Sequence, residues 1–141
     1  MSEYEPFPPI TGEEFDALAA SPIVEEARFR CARHGTEAGM VRLRGGYTRG
    51  WMVEVESFVY RRFQRVHEPR AEALREHIAR GDVQEIYVMD VAWAPFYCVY
   101  CNAVYCGACW RTEEIMDPDL PGWVDSVRGV CPAGHERMLS D

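Results

Sequence analysis

Apolar positions change their period several times along the chain, and each change marks an element. From Thr11 onward Phe15, Leu18 and Ala19 recur at helical spacing. Thr11 and Glu14 stand three residues apart, the spacing at which hydroxyl and carboxylate cap a helix start between them. Pro22 ends that helix. Val24 to Cys31 then alternates, with Ala27, Phe29 and Cys31 on one face. Thr36 to Arg44 reads as a second strand, and Gly45-Gly46 is a hairpin signal. Trp51 to Phe63 reads as one long third strand, with Trp51, Val53 and Val55 facing one way and Glu54 and Glu56 the other. Residues 24–63 are expected to form an antiparallel sheet. Residues 68–80 return to the helical period, with Pro69 early, Ala73, Leu74 and Ile78 on the apolar side, and Gly81 placed to stop the helix. Glu85 to Val91 is expected as a short strand. From Trp93 onward the chain is rich in cysteine, aromatic and turn residues.

This order of elements gives an α+β fold: an antiparallel sheet with two helices, joined to a cysteine-rich module. A length of 141 residues and 48% hydrophobic content suit one domain, expected over residues 11–141 behind a flexible, proline-rich lead at 1–10. Within the domain, the sheet and helices at about 36–92 read as an insertion into a module built from 24–35 and 93–141.

Charge and cysteine usage narrow the function. All fifteen basic residues are arginine, which points to a GC-rich bacterial genome. The net charge of −8 repels phosphate backbones and disfavours nucleic-acid binding. The first ten residues have neither a basic start nor an apolar core, unlike a signal peptide. No run approaches the ~18 apolar residues of a membrane span, so no membrane role is expected. The expected location is therefore the reducing cytoplasm, where six cysteines point to metal rather than disulfides.

Those cysteines fall into four pairs of ligand type: Cys31-x2-His34, Cys98-x2-Cys101, Cys106-x2-Cys109 and Cys131-x3-His135. A spacer of two or three residues lets both members of a pair reach one ion, and thiolate with imidazole is a zinc donor set. Gly35, Gly107 and Gly134 lie in or beside these turns, where positive φ is often needed. Eight ligands make two closed Cys3His sites, implying two structural Zn2+ ions, no open catalytic position and no catalytic residue. The four-residue link from Cys101 to Cys106 makes it awkward for both knuckles to share one ion. An interleaved arrangement relieves this, with Cys31, His34, Cys106 and Cys109 at site 1 and Cys98, Cys101, Cys131 and His135 at site 2.

The run from Cys98 to Cys109, Cys-x2-Cys-x4-Cys-x2-Cys, resembles the middle of FYVE-type zinc fingers. Cys131-Pro132 resembles the Cys-Pro that opens the last ligand pair of many RING domains. The tail is also similar to that of bacterial zinc proteins ending in Cys-Pro-x-Gly-His-x-Arg-Met-Leu. The resemblance covers about 40 residues and implies a treble-clef, cross-brace topology. It departs from the pattern in the 63 residues between the first two pairs and in a final Cys-x3-His. Arg111 is the only basic residue between Arg80 and Arg128, so the basic patch with which FYVE domains grip lipid is missing.

Together these readings imply a zinc-stabilised module that binds a protein partner. Trp110 and Trp123 are the best candidates among the aromatics near the knuckles for an exposed contact. Arg137, just past the last ligand, stands close to where RING domains carry a partner-facing arginine. The RING resemblance implies, as one alternative, an adaptor that recruits a ubiquitin-conjugating-type enzyme in a bacterial conjugation or defence system. Two further alternatives are a zinc hydrolase or thiol redox enzyme, and a nucleic-acid binder using Arg42, Arg44, Arg49, Arg61 and Arg62.

Overall fold

The computed structural model describes residues 7–46 and 50–140. Residues 1–6 of the proline-rich lead, and Arg49, lie outside it. Helix α1 (Gly12–Ala19) starts as its capping spacing requires: the Thr11 hydroxyl accepts from Glu14 N at 3.0 Å. Four strands follow, β1 (Ile23–Arg30), β2 (Glu37–Gly46), β3 (Gly50–Ser57) and β4 (Arg61–Val66), paired antiparallel in sequence order.

The expected third strand is in fact two. The Ser57 hydroxyl accepts from Val59 N and Tyr60 N, and Ser57 N donates to Tyr60 O at 2.9 Å. That serine turn folds the strand back without Gly, Pro or Asn to announce it.

Both faces of the sheet are buried, for different reasons. On one face Val41, Leu43, Val53 and Val55 join a core with Ala71, Leu74 and Ile78 of α2 (Glu68–Arg80). On the other, Glu54 sits beside Arg42 and Phe63 as cross-strand neighbours. Its carboxylate is fully buried, receiving Arg44 Nε at 2.9 Å and Arg61 Nη2 at 2.8 Å. Burial opposes ionisation of Glu54, but these two arginines overcome it and hold the carboxyl below its ordinary range. Alternation therefore separates the faces as expected, yet the polar face is closed by ion pairs rather than water.

Helix α2 ends at Gly81 in the left-handed region (φ 63°), whose N–H reaches the carbonyls of His77 and Ile78. The stretch expected as a strand at 85–91 is instead a third helix, α3 (Val83–Met89), followed by one 3-10 turn at Val91–Trp93. Its start is capped: Asp82 accepts from Glu85 N at 3.2 Å. Val83, Ile86 and Tyr87 are spaced for a helix face, and Ile86 is fully buried.

The cysteine-rich end is more regular than its sequence suggests. A two-residue ladder pairs β5 (Tyr97–Cys98) with β6 (Ala103–Val104). Beyond it β7 (Arg111–Met116), β8 (Val124–Val130) and β9 (Glu136–Ser140) form a second antiparallel sheet. Gly39 lets the halves meet, since a Cβ there would lie 2.1 Å from the Phe96 ring.

Candidate metal centres

The first cluster forms where β1 ends. Cys31 N donates to Thr36 O at 2.7 Å, and Gly35 N returns to Cys31 O at 2.8 Å, closing a turn with Gly35 at φ 70°. Ala32 N donates to Val104 O at 2.8 Å, which brings this turn to the next ligands. The Cys106 knuckle closes through Cys109 N to Cys106 O at 2.9 Å. Gly107 is required there for space, not for φ, because a Cβ would lie 2.8 Å from the Phe58 Cβ. His34 Nδ1 then stands 3.7 Å from Cys31 Sγ, 3.3 Å from Cys106 Sγ and 3.3 Å from Cys109 Sγ. Cys109 Sγ lies 3.6 Å from Cys31 Sγ and 3.9 Å from Cys106 Sγ.

The second cluster joins the β5–β6 knuckle to the β8–β9 turn. Asn102 takes a left-handed φ of 49° and is held there by Tyr97, whose hydroxyl donates to Asn102 Oδ1 at 2.6 Å. Cys131 N donates to His135 O at 2.9 Å, around Gly134 at φ 93°. His135 Nδ1 stands 3.6 Å from Cys98 Sγ, 3.3 Å from Cys101 Sγ and 3.4 Å from Cys131 Sγ. Cys101 Sγ lies 3.8 Å from Cys131 Sγ.

These distances test the fit of a metal. A tetrahedral ion bound at about 2.3 Å to sulfur and 2.0–2.1 Å to nitrogen needs S···S edges of roughly 3.8 Å and S···N edges of roughly 3.5 Å. Both clusters meet that requirement, and all six thiols are free of disulfides. With four donors each, both tetrahedra close on protein alone. The ligand pairs alternate between the clusters along the chain: first with third, second with fourth.

The electrostatics make the same demand. Burial opposes ionisation of Cys31, yet N–H groups of Cys106, His34 and Arg33 aimed at its sulfur bring it down to about 6. Burial likewise opposes ionisation of Cys131, which N–H groups of His135 and Ala133 bring down to about 7. Cys109 and Cys98 go the other way, pushed up to about 11 by burial and by neighbouring thiols. Contact with Cys101, and then burial, pushes Tyr105 up to about 12. Three thiols this close need a divalent cation to become three thiolates together.

Three expectations about partner-facing residues meet different outcomes. Trp110, expected at the surface, is 5% exposed. Its Nε1 donates to Tyr105 O at 3.1 Å, and its ring lies over Gly129, where a Cβ would come within 3.1 Å. The indole and Leu139, which is 2% exposed, together form the small core of the second sheet over Gly129. Trp123 is exposed, at 67%. Arg137 is engaged inside the chain. Its Nη1 donates to Ala94 O and Tyr97 O at 2.8 Å each, and its Nη2 to Val91 O at 3.1 Å. The guanidinium also stacks over Tyr87, and burial lowers its affinity for its proton. This three-carbonyl tie had no sequence signal, since carbonyl acceptors leave no trace in residue identity. Among the alternative phosphate-binding arginines, Arg42, Arg44 and Arg61 are ion-paired to Glu54, and Arg62 stacks on Tyr60. Among the described residues, no helix is long and apolar enough to cross a membrane.

Fold and clusters together define a small α+β protein with two Cys3His centres able to hold metal. Residues 21–141 match the family described as Domain of unknown function (DUF8328), and the chain belongs to that family. No curated protein and no solved structure matches it.

Proposed function

We propose that this chain is a non-catalytic protein-interaction module in which two structural Zn2+ ions fix the recognition surface. One observation carries the reading: each cluster spends all four tetrahedral positions on side chains, leaving none for water or substrate. The surface around the second cluster supports it. Tyr100 at 73% exposure and Val99 stand on the knuckle, and Val88 at 67% and Val91 stand on α3 and just after it. Exposed apolar residues gathered at a rigid site suit a partner. Zinc fits the mixed thiolate and imidazole donors at these spacings.

Native mass spectrometry should find two zinc ions per chain. The cobalt-substituted protein should show the absorption of four-coordinate, thiolate-rich sites. A five-coordinate spectrum, or one altered by added anions, would return the protein to the hydrolases. The RING-like version, an adaptor for a ubiquitin-conjugating-type enzyme, draws support from the alternating ligand pairs and Cys131-Pro132. Arg137 does not add to it, because its donors are already taken. Co-elution of a conjugating enzyme with the purified chain tests that version.

A further inference from the structure

The hairpin between β7 and β8 is built as a rigid display. Leu120-Pro121-Gly122-Trp123 is a turn closed by Trp123 N to Leu120 O at 3.0 Å, with Gly122 at φ 87° and Pro121 before it. That is the chemistry of a type II turn. Below it, Asp119 N donates to Asp117 Oδ1 at 2.8 Å, and Asp117 N to Trp123 O at 2.9 Å. Trp123 and Leu120 are thus held in place at 67% and 52% exposure, above the exposed cross-strand pair Met116 and Val124. An exposed indole carried on a fixed backbone costs less to order on binding, and tryptophan is among the residues in which interfaces concentrate their energy.

The charge around this tip is one-sided. Between Arg111 and Arg128 stand five carboxylates and no basic residue. Of these, Glu113 is neutralised by Arg128 at 2.7 Å. An apolar platform ringed by acids repels anionic lipid and nucleic acid, and favours a cation that brings its own apolar surface.

We infer that the β7–β8 tip docks an extended basic segment of a partner protein, with an arginine or lysine of that segment lying on the Trp123 ring and its neighbours meeting Asp117, Asp119 and Asp125. A guanidinium or ammonium over an indole is the strongest of the cation–aromatic pairs. This assignment rests on the interaction-module reading and adds to it a location and a partner chemistry.

The molecule carries its own reporter. Trp51, Trp93 and Trp110 are at most 5% exposed, so acrylamide quenching of the zinc-loaded protein reads Trp123. The probes are a twelve-residue peptide alternating arginine with leucine, the same peptide with glutamate for arginine, and phosphatidylcholine vesicles. The arginine peptide alone should shield Trp123, with affinity falling steeply as salt rises. Trp123→Ala should weaken binding, read by calorimetry, about tenfold, with two zinc ions still bound. The triple change Asp117→Asn, Asp119→Asn, Asp125→Asn should weaken it while leaving the indole in place. Equal shielding by the glutamate peptide or the vesicles overturns the assignment, as does arginine-peptide binding that survives Trp123→Ala. A natural partner that is lost on Tyr100→Ala but leaves Trp123 quenchable would remove the tip assignment and keep the module.

Discussion

The two clusters share a donor set and little else. Site 1 is the more open, with Cys31 buried but Cys106 and Cys109 half-buried and His34 exposed, and it joins ligands 72 residues apart. Site 2 buries Cys98 and Cys131, and Arg137 binds the strand after its last ligand to the carbonyls just before its first. The first is a clasp between the sheet and the knuckle. The second stands where core should be in the second sheet, whose buried side chains are few. Identical ligands can thus do unequal structural work, decided by what else holds the same segments.

The largest test removes one ligand from each. Cys131→Ser and Cys106→Ser should each lose one zinc ion by native mass spectrometry. Cys131→Ser should also strip amide-exchange protection from residues 111–140, a loss of more than about 5 kcal/mol given the binding energy of structural zinc. Cys106→Ser should keep protection in the four-stranded sheet, whose core packs Val41, Leu43, Val53 and Val55 against α2. Equal damage from both would erase the contrast.

The tryptophans sharpen it next. Trp110→Ala, which empties the space over Gly129, should cost about 3–5 kcal/mol in chemical denaturation. Trp123→Ala should stay within about 0.5 kcal/mol.

Arg137→Met should weaken zinc at site 2 by about 10–100-fold in chelator competition and leave site 1 alone. Arg137→Lys keeps the charge but cannot span three carbonyls, so partial recovery would isolate the electrostatic share.

Acidity should act on both sites alike. Cys109 and Cys98, each at about 11, still hold protons at pH 8 and must release them to bind metal. Protons compete with the ion, so affinity should rise with pH, by at least about tenfold per unit between pH 8 and 9 at each site.

What the sequence revealed follows the same division. The ligands were legible because coordination demands residues of fixed type within one turn, and their grouping followed from the four-residue link between two knuckles. The first sheet was legible from Val41, Leu43, Val53 and Val55, whose alternation a large core enforces. The second sheet was not: β7 is exposed along nearly its whole length, so no burial pattern marks it. Helix α3 escaped because four of its seven residues, Val83, Ile86, Tyr87 and Val88, favour a strand locally, while the Asp82 cap and the burial of Ile86 decide for a helix. The break in the third strand was invisible because a single serine hydroxyl makes it.

The distance along the chain between the halves of site 1 has a consequence during synthesis. A ribosome adding about 5–20 residues per second takes roughly 4 to 15 s to pass from His34 to Cys106. For those seconds Cys31 and His34 form a two-toothed chelate with nothing to complete it. The nascent protein passes through a stage in which a thiol and an imidazole are open to stray metal or oxidant, and the arrival of the third knuckle ends it.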